Sequence, residues 1–293
     1  MNNRIKLLRL NSGFFIGGIL FLTLGYQLQS WHFEWGLLLT ELLLVLGLAL
    51  LIIKSSQARV GDYFLFKEVG AGILLKTAVI ALASLPVVMI LNLISLLILE
   101  ITGSAIAMEI PETTGFSGVV FQFFIISIVA GIAEEILFRG VFLQVYRDYF
   151  KAREAIVFSA ALFALFHFNL QNFFGPLYLG IVFGVLTVKT QSLIPAILGH
   201  MLNNGIAYVF SYMATFMPQE NLGDFGVGEI IETILALSLS GALSLGMVVF
   251  LLRSIKNTGA ELPRQQASAG KLDFLPVALS VGIYLFYGAL VFF

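Results

Sequence analysis

Residues 72–99 read GILLKTAVIALASLPVVMILNLISLLIL, and Lys76 is the only charged side chain among them. A membrane-spanning helix needs about 20 mostly apolar residues. The run therefore predicts a helix that crosses a bilayer with some tilt, or with an interfacial turn near Pro86. Working outward, eight more apolar runs predict an all-α polytopic bundle of about nine spans, or eight if the short sixth run is re-entrant. The nine runs are 10–28, 36–53, 72–99, 118–139, 155–171, 175–188, 192–212, 230–252 and 273–293.

The composition of the chain excludes an ordinary water-soluble enzyme. Of its 293 residues, 59% are hydrophobic and 11% are charged, and the mean hydropathy is +0.98. Soluble domains carry about 25% charged residues. The lack of cysteine excludes disulfides, thiolate metal sites and cysteine nucleophiles. A net charge of −1 gives no electrostatic reason to expect a nucleic-acid partner.

The basic residues indicate the orientation of the helices, because lysine and arginine collect in cytoplasmic loops. With nine spans and a cytoplasmic N-terminus, fifteen of the sixteen basic residues fall on the inner side, and Lys76 can snorkel to it. The fifteen are Arg4, Lys6, Arg9, Lys54, Arg59, Lys67, Arg139, Arg147, Lys151, Arg153, Lys189, Arg253, Lys256, Arg264 and Lys271. The predicted outer loops carry Glu34, Glu100, Glu109, Glu112, Glu220 and Asp224. We expect one integral membrane domain, 1–293, with a polar cytoplasmic loop at 257–271.

Three clusters of polar residues interrupt the predicted spans. Glu134 and Glu135 lie in GIAEEILFRG, His167 ends FALFH, and His200 and Asn204 lie in GHMLNN. Ionisable groups inside a bilayer are costly, so each of them is a candidate functional residue. A single motif of this kind is typical of a solvated helix end or a structural histidine. The three together predict a catalytic site in one bundle.

Helical spacing predicts which polar groups meet. Residues four apart share a helix face, so Glu135 is placed to pair with Arg139, and His200 with Asn204. Glu41 lies within about two turns of the predicted outer interface. We interpret it as a structural residue whose side chain reaches the headgroups.

The adjacent carboxylates suggest acid–base chemistry. Two such groups repel each other at low dielectric, so they take different roles. If Arg139 holds Glu135 ionised, Glu134 is left as a base that a histidine can assist. A water held between Glu134 and His167 could then attack a carbonyl carbon.

The third motif supplies hydrogen-bond donors. His200 and the Asn204 amide could donate to the oxyanion that develops during such an attack. The same side chains allow a second interpretation, because Glu134, His167 and His200 with an open position would suit Zn²⁺ or another divalent metal. The residues leave both the metal-free and the metal-dependent peptidase open.

At these motifs the chain resembles the CAAX-protease and bacteriocin-processing family of membrane proteases (CPBP or ABI, also the type II CAAX prenyl endopeptidase family). The matches are Glu134-Glu135-Ile-Leu-Phe-Arg139, Phe163-Ala-Leu-Phe-His167 and His200-Met-Leu-Asn-Asn204. The resemblance covers about 118–212, the predicted catalytic core helices. The first three and the last two spans are not identified by it.

The resemblance implies a role for each matched residue. Glu134 would activate water with His167, while Glu135 and Arg139 would support that site and the third motif would form the oxyanion hole. It implies either a metal-free glutamate mechanism, which needs no cofactor, or a metal-dependent one. Relatives trim prenylated proteins or take part in peptide processing, bacteriocin immunity or signalling. We expect a membrane-associated peptide or protein substrate, a bacterial plasma membrane, and a site that faces the cytoplasm.

Two other functions remain open from the sequence. A non-catalytic membrane scaffold could bind a sensor or a peptide, and a small transporter could use the buried carboxylates and histidines as a proton relay. A further question concerns depth. Counting along the predicted spans spreads Glu134, His167 and His200 over about 10 Å, so joining them would need a cavity that opens to the cytoplasm.

Overall fold

The computed structural model describes residues 5–102, 115–216, 226–257 and 267–292, and these form nine long helices and no β-strand. The helices are α1 (Leu7–Trp31), α2 (Phe33–Ser55), α3 (Ala71–Ile101), α4 (Gly115–Tyr149), α5 (Ala152–Phe166), α6 (Phe174–Thr190), α7 (Ile194–Ala214), α8 (Val227–Ser254) and α9 (Leu275–Phe292). The prediction of an all-α bundle is confirmed. Several residues of the orientation argument lie outside the described residues: Arg4, Glu109, Glu112, Glu220, Asp224 and Arg264, as does 258–266 of the predicted polar loop.

Six helical segments of the described chain are long and apolar enough to cross a membrane, namely α1 to α4, α8 and the segment Lys271–Val291 that contains α9. Helix α6 is apolar but shorter. Helix α7 is 21 residues long, and its polar residues His200, Asn203 and Asn204 lower its hydropathy. The chain is therefore an integral membrane protein. Nine crossings and a cytoplasmic N-terminus stay predictions.

Helix α4 runs to Tyr149, past its predicted end at 139. Arg139 is fully buried, and Gln144, Arg147 and Asp148 beyond it are buried too. The prediction that the fourth span ends at Arg139 is therefore wrong, since Arg139 is paired with Glu135 inside the bundle. These polar residues mark contacts between helices rather than the end of a helix.

Two other predicted boundaries also differ. Helix α5 ends at Phe166 instead of 171, so His167 is the residue that follows the helix. Phe168 then adopts a left-handed backbone with φ of 46°, which breaks the helical path. Helix α3 continues through Pro86 without the interfacial turn that the proline suggested.

The second half of α4 forms the centre of the bundle. Every residue from 135 to 148 is buried, and α1, α2 and α5 pack around this stretch. Aromatic rings fill the contacts, as where Phe138 lies 5.6 Å from Phe142 and 5.2 Å from Phe163, measured between ring centroids. Because α4 carries Glu134, Glu135 and Arg139, this packing holds their backbone in place.

Helix α7 begins inside the protein. The backbone N–H of Leu193, which is fully buried, donates to the Leu65 carbonyl at 2.7 Å, and the Ser192 hydroxyl donates to the Lys67 carbonyl at 2.6 Å. The segment between α2 and α3 thus covers the start of α7. A count of helical rises from the start of α7 therefore does not give the distance of His200 from the protein surface.

Candidate active site

A carboxylate on α4 joins the first and third motifs. Oε1 of Glu135 accepts a hydrogen bond from Arg139 Nη1 at 2.7 Å and lies 2.8 Å from His200 Nδ1. The i, i+4 pair within α4 is the one that the spacing predicted. A carboxylate only accepts, so the hydrogen on this side of the imidazole sits on Nδ1. Glu135 therefore fixes the orientation of the His200 ring.

Arg139 is a buried cation enclosed by aromatic rings. Its guanidinium carbon lies 4.4 Å from the centroid of Phe163 and 5.7 Å from that of Phe183. Nε and Nη2 have no hydrogen-bond partner among the described residues. Attraction to the ring faces and to Glu135 stabilises the charge there. The Phe183 ring is also stacked on His200, with 5.7 Å between the centroids.

Glu134 faces the other side of the same histidine. Its Oε2 lies 3.6 Å from His200 Nε2, and its side chain is 16% exposed, whereas Glu135 is fully buried. That oxygen has no hydrogen-bond partner among the described residues. At 3.6 Å the two atoms are too far apart for a direct hydrogen bond. The adjacent carboxylates thus take different positions, one paired and one free to act on a bound molecule.

Phe163 contacts both His167 and His200 and so connects the second motif to the third. Nδ1 of His167 lies 2.8 Å from the Phe163 carbonyl oxygen, and the centroid of the Phe163 ring lies 4.8 Å from that of His167 and 5.8 Å from that of His200. A carbonyl only accepts, so Nδ1 of His167 carries the hydrogen and Nε2 presents a lone pair. His167 can therefore accept a hydrogen bond from water.

The third motif is arranged differently from the expectation. Asn204 is not paired with His200 here, since its Nδ2 donates to the Ile126 carbonyl at 3.2 Å. That carbonyl belongs to a π-helical turn of α4, Phe124–Val129. An amide NH₂ has two hydrogens, so one remains for another acceptor. Its neighbour Asn203 is buried, and Asn203 Oδ1 has no partner among the described residues.

The interpretation of Glu41 as a residue that reaches the headgroups is wrong. Its side chain is 4% exposed, and its π-helical turn, Thr40–Leu46, packs against Ala130–Glu135 of α4. Glu41 and Glu134 therefore lie on segments that pack against each other inside the bundle. An ionisable residue in a long apolar helix was the signal that could have placed Glu41 at the site.

The proposed metal ligands do not come together. Among the residues that the structure describes, no group of three or more His, Asp or Glu side chains could hold a metal ion. Phe163 lies against the rings of both His167 and His200, and Glu135 engages Nδ1 of His200. The third metal ligand suggested by the sequence is Glu134. This donor set does not fit a metal in the described arrangement.

An apolar cavity of about 420 Å³ lies between α4 and α7, on the same helices as the polar residues. Its lining is Phe123, Ser127, Ile128, Leu198, Met201, Leu202, Gly205, Ile206, Val209 and Phe210. The two helices approach closely here, because a Cβ on Gly131 would lie 2.9 Å from Met201 Cγ. Ser127 Oγ donates to the Met201 carbonyl at 2.8 Å and links the helices.

These features define a class, a polytopic helical membrane protein with glutamates and histidines gathered inside its bundle. A family model described as type II CAAX prenyl endopeptidase Rce1-like matches residues 116–206. The matched stretch contains all three motifs and confirms the resemblance to the CPBP and CAAX protease family. It supports a membrane protease in general terms. No curated protein and no solved structure matches the chain.

Proposed function

We propose that the protein is an intramembrane endopeptidase in which Glu134 activates water for attack on a peptide bond. The observation that carries the proposal is the chain of contacts from Arg139 through Glu135 and His200 to Glu134. This arrangement leaves Oε2 of Glu134 without a hydrogen-bond partner among the described residues, beside an oriented imidazole. A carboxylate in that position is suited to take a proton from water.

The reaction can be written with its protons balanced. A water molecule donates hydrogen bonds to Glu134 and to Nε2 of His167. It gives one proton to Glu134 while its oxygen bonds to the carbonyl carbon of the substrate. The oxyanion then accepts hydrogen bonds from Nε2–H of His200 and from the remaining N–H of Asn204. Glu134 returns the proton to the amide nitrogen, and the C–N bond breaks. The residues shown above suffice for each transfer.

The substrate that fits this site is a membrane-associated peptide or protein. The cavity beside α7 is lined almost wholly by apolar side chains and can receive an apolar segment on the helices that carry Glu134 and His200. The matching family is described as a CAAX prenyl endopeptidase, and a lipidated peptide is one candidate substrate on that ground. We place the active site toward the cytoplasm of a bacterial plasma membrane, on the predicted orientation.

A non-catalytic scaffold is the second candidate. It would need no oriented base, so the partnerless Oε2 of Glu134 favours catalysis. A proton-coupled transporter ranks third, because a proton relay does not need the buried ion pair between Glu135 and Arg139 to aim an imidazole.

The test compares protein termini in membranes from cells that carry the wild type, Glu134→Gln, or no gene. Under the proposal, the same substrate accumulates uncut in both defective strains, and its new terminus appears only with the wild type. Exposed Glu154 on α5 supplies a matched control, since Glu154→Gln should cleave normally. If only the deletion changes the termini, the scaffold takes the place of the peptidase.

A further inference from the structure

The candidate site contains a third carboxyl group that the three motifs do not include. Glu41 lies on α2, is 4% exposed, and its Oε2 has no hydrogen-bond partner among the described residues. A buried polar group without a partner destabilises a fold. Such a group needs a donor that the described protein residues do not supply.

The backbone around Glu41 is not regular α-helix. Thr40 in the same turn satisfies its hydroxyl within the helix, by donating to the Gly36 carbonyl at 2.8 Å. Helix α2 widens into the π-helical turn Thr40–Leu46 at this point. Turns of this type recur at functional sites because they re-aim a side chain. The turn packs on the segment of α4 that ends with Glu134 and Glu135.

We propose that Glu41 receives the leaving amine of the cleaved peptide bond. This inference rests on the proposed function, in which Glu134 hands its proton to the amide nitrogen. That nitrogen must come within hydrogen-bond distance of Glu134, and so close to the neighbouring carboxyl group.

The hydrogen bonds and charges then balance. The scissile N–H donates to Oε2 of Glu41 during the attack, while Glu134 holds the proton taken from water. When Glu134 releases this proton to nitrogen and the C–N bond breaks, the new amino group lies between two carboxyl groups. The product carboxylic acid then gives its proton to the neutral amine, and the resulting ammonium group offsets the negative charge of the two carboxylates. The substrate thus supplies the donor that Glu41 lacks in the free protein.

The test separates this role from a structural one by measuring cleavage and stability together. Glu41→Leu removes the acceptor, whereas Glu41→Gln keeps a side-chain oxygen that can accept. We expect Glu41→Leu to lower the formation of new termini in cells at least about tenfold, and Glu41→Gln to stay within that factor. The Tm of purified Glu41→Leu in detergent should equal or exceed that of the wild type, since a partnerless polar group is lost.

The outcomes are distinct. Thr40→Val, in the same turn, is the matched control and should cleave like the wild type. A loss of less than tenfold in Glu41→Leu, or a loss accompanied by a lower Tm, overturns the role of Glu41. If Glu134→Gln also cleaves normally, the proposed function fails and this inference fails with it. An inactive Glu134→Gln with an active Glu41→Leu removes the inference alone.

Discussion

Glu135 and His200 are joined across two helices, with 2.8 Å between the carboxylate Oε1 and the imidazole Nδ1. The contact links α4 to α7 and sets which ring nitrogen faces Glu134. Since Arg139 donates to the same oxygen, the charge of the pair and the orientation of the imidazole depend on one atom. The first prediction, on stability and activity together, rests on this shared oxygen.

Breaking the buried ion pair should cost more stability than removing both partners. Glu135→Leu leaves the Arg139 charge buried and unpaired, and we expect a loss of about 3–5 kcal/mol in the free energy of unfolding. The double variant Glu135→Leu/Arg139→Met should recover most of that loss, yet remain inactive because His200 is no longer oriented. Denaturant titration in detergent micelles gives the free energies. A double variant as unstable as Glu135→Leu would contradict the assignment.

One conservative substitution of His167 should preserve folding but reduce catalysis. In His167→Asn the side-chain amide can still donate to the Phe163 carbonyl, so the Tm should stay close to the wild type. The lone pair of Nε2 is lost, and cleavage should fall by about 10²-fold or more. His167→Leu serves as the comparison, since it loses both interactions and should also lower the Tm. Normal cleavage by His167→Asn would argue that His167 is structural.

Filling the apolar cavity should weaken substrate binding without changing the chemical step. Val209 lines the cavity at its lipid-facing side, and Val209→Trp reduces the volume available to an apolar segment. We expect KM for a peptide substrate found by the comparison of termini to rise, with kcat nearly unchanged. Leu243→Trp on the exposed face of α8 adds the same bulk elsewhere and should have no effect. Equal kinetics in both variants would remove the cavity from the substrate path.

The close approach of α4 and α7 should matter for rate. In Gly131→Ala the new methyl group would meet Met201 Cγ at 2.9 Å and Met201 N at 3.3 Å, so the Met201 side chain must move and the backbone of α7 must give by a few tenths of an ångström. A misplacement of about 1 Å can cost 10²-fold in rate, and we expect kcat to fall while the protein remains folded. Gly72→Ala, where nothing lies within 4 Å of the new methyl group, is the control. If both variants cleave equally, the helix spacing does not set the rate.

Removal of divalent metal should leave cleavage intact. The donor set of Glu134, His167 and His200 does not form a metal-binding group in the described structure, so the reaction proposed here uses side chains and water. Purified protein dialysed against a chelator should cut its peptide at the rate of the untreated sample. Loss of activity that Zn²⁺ restores would revive the metal-dependent interpretation.

The sequence predicted what lies within one helix better than what lies between helices. The pair of Glu135 and Arg139 follows from a spacing of four residues in α4, where helical geometry fixes the neighbour. The contact of Glu135 with His200 could not be predicted, because periodicity assigns a residue to a face without naming the facing helix. Glu41 was misplaced for the same reason.

Helix ends were misjudged where a polar residue was taken for a contact with water. Arg139 suggested the end of a span, yet the helix continues beyond it and Phe163, Phe183 and Glu135 enclose its guanidinium in the bundle. Hydropathy reports the cost of a charge in lipid but does not show whether protein groups offset it. The end of α5 at Phe166 shows the same limit, since no glycine or proline marks it.

The enclosed guanidinium of Arg139 also has a consequence for how the protein is made. A lone arginine at the centre of a membrane helix is disfavoured by about 2.5–3.5 kcal/mol during insertion, and α4 is synthesised before α5, α6 and α7. The rings of Phe163 and Phe183 and the imidazole of His200 are therefore missing when α4 leaves the ribosome. The helix gains its full set of partners only after three later helices have emerged, which makes the completed site a late product of biogenesis.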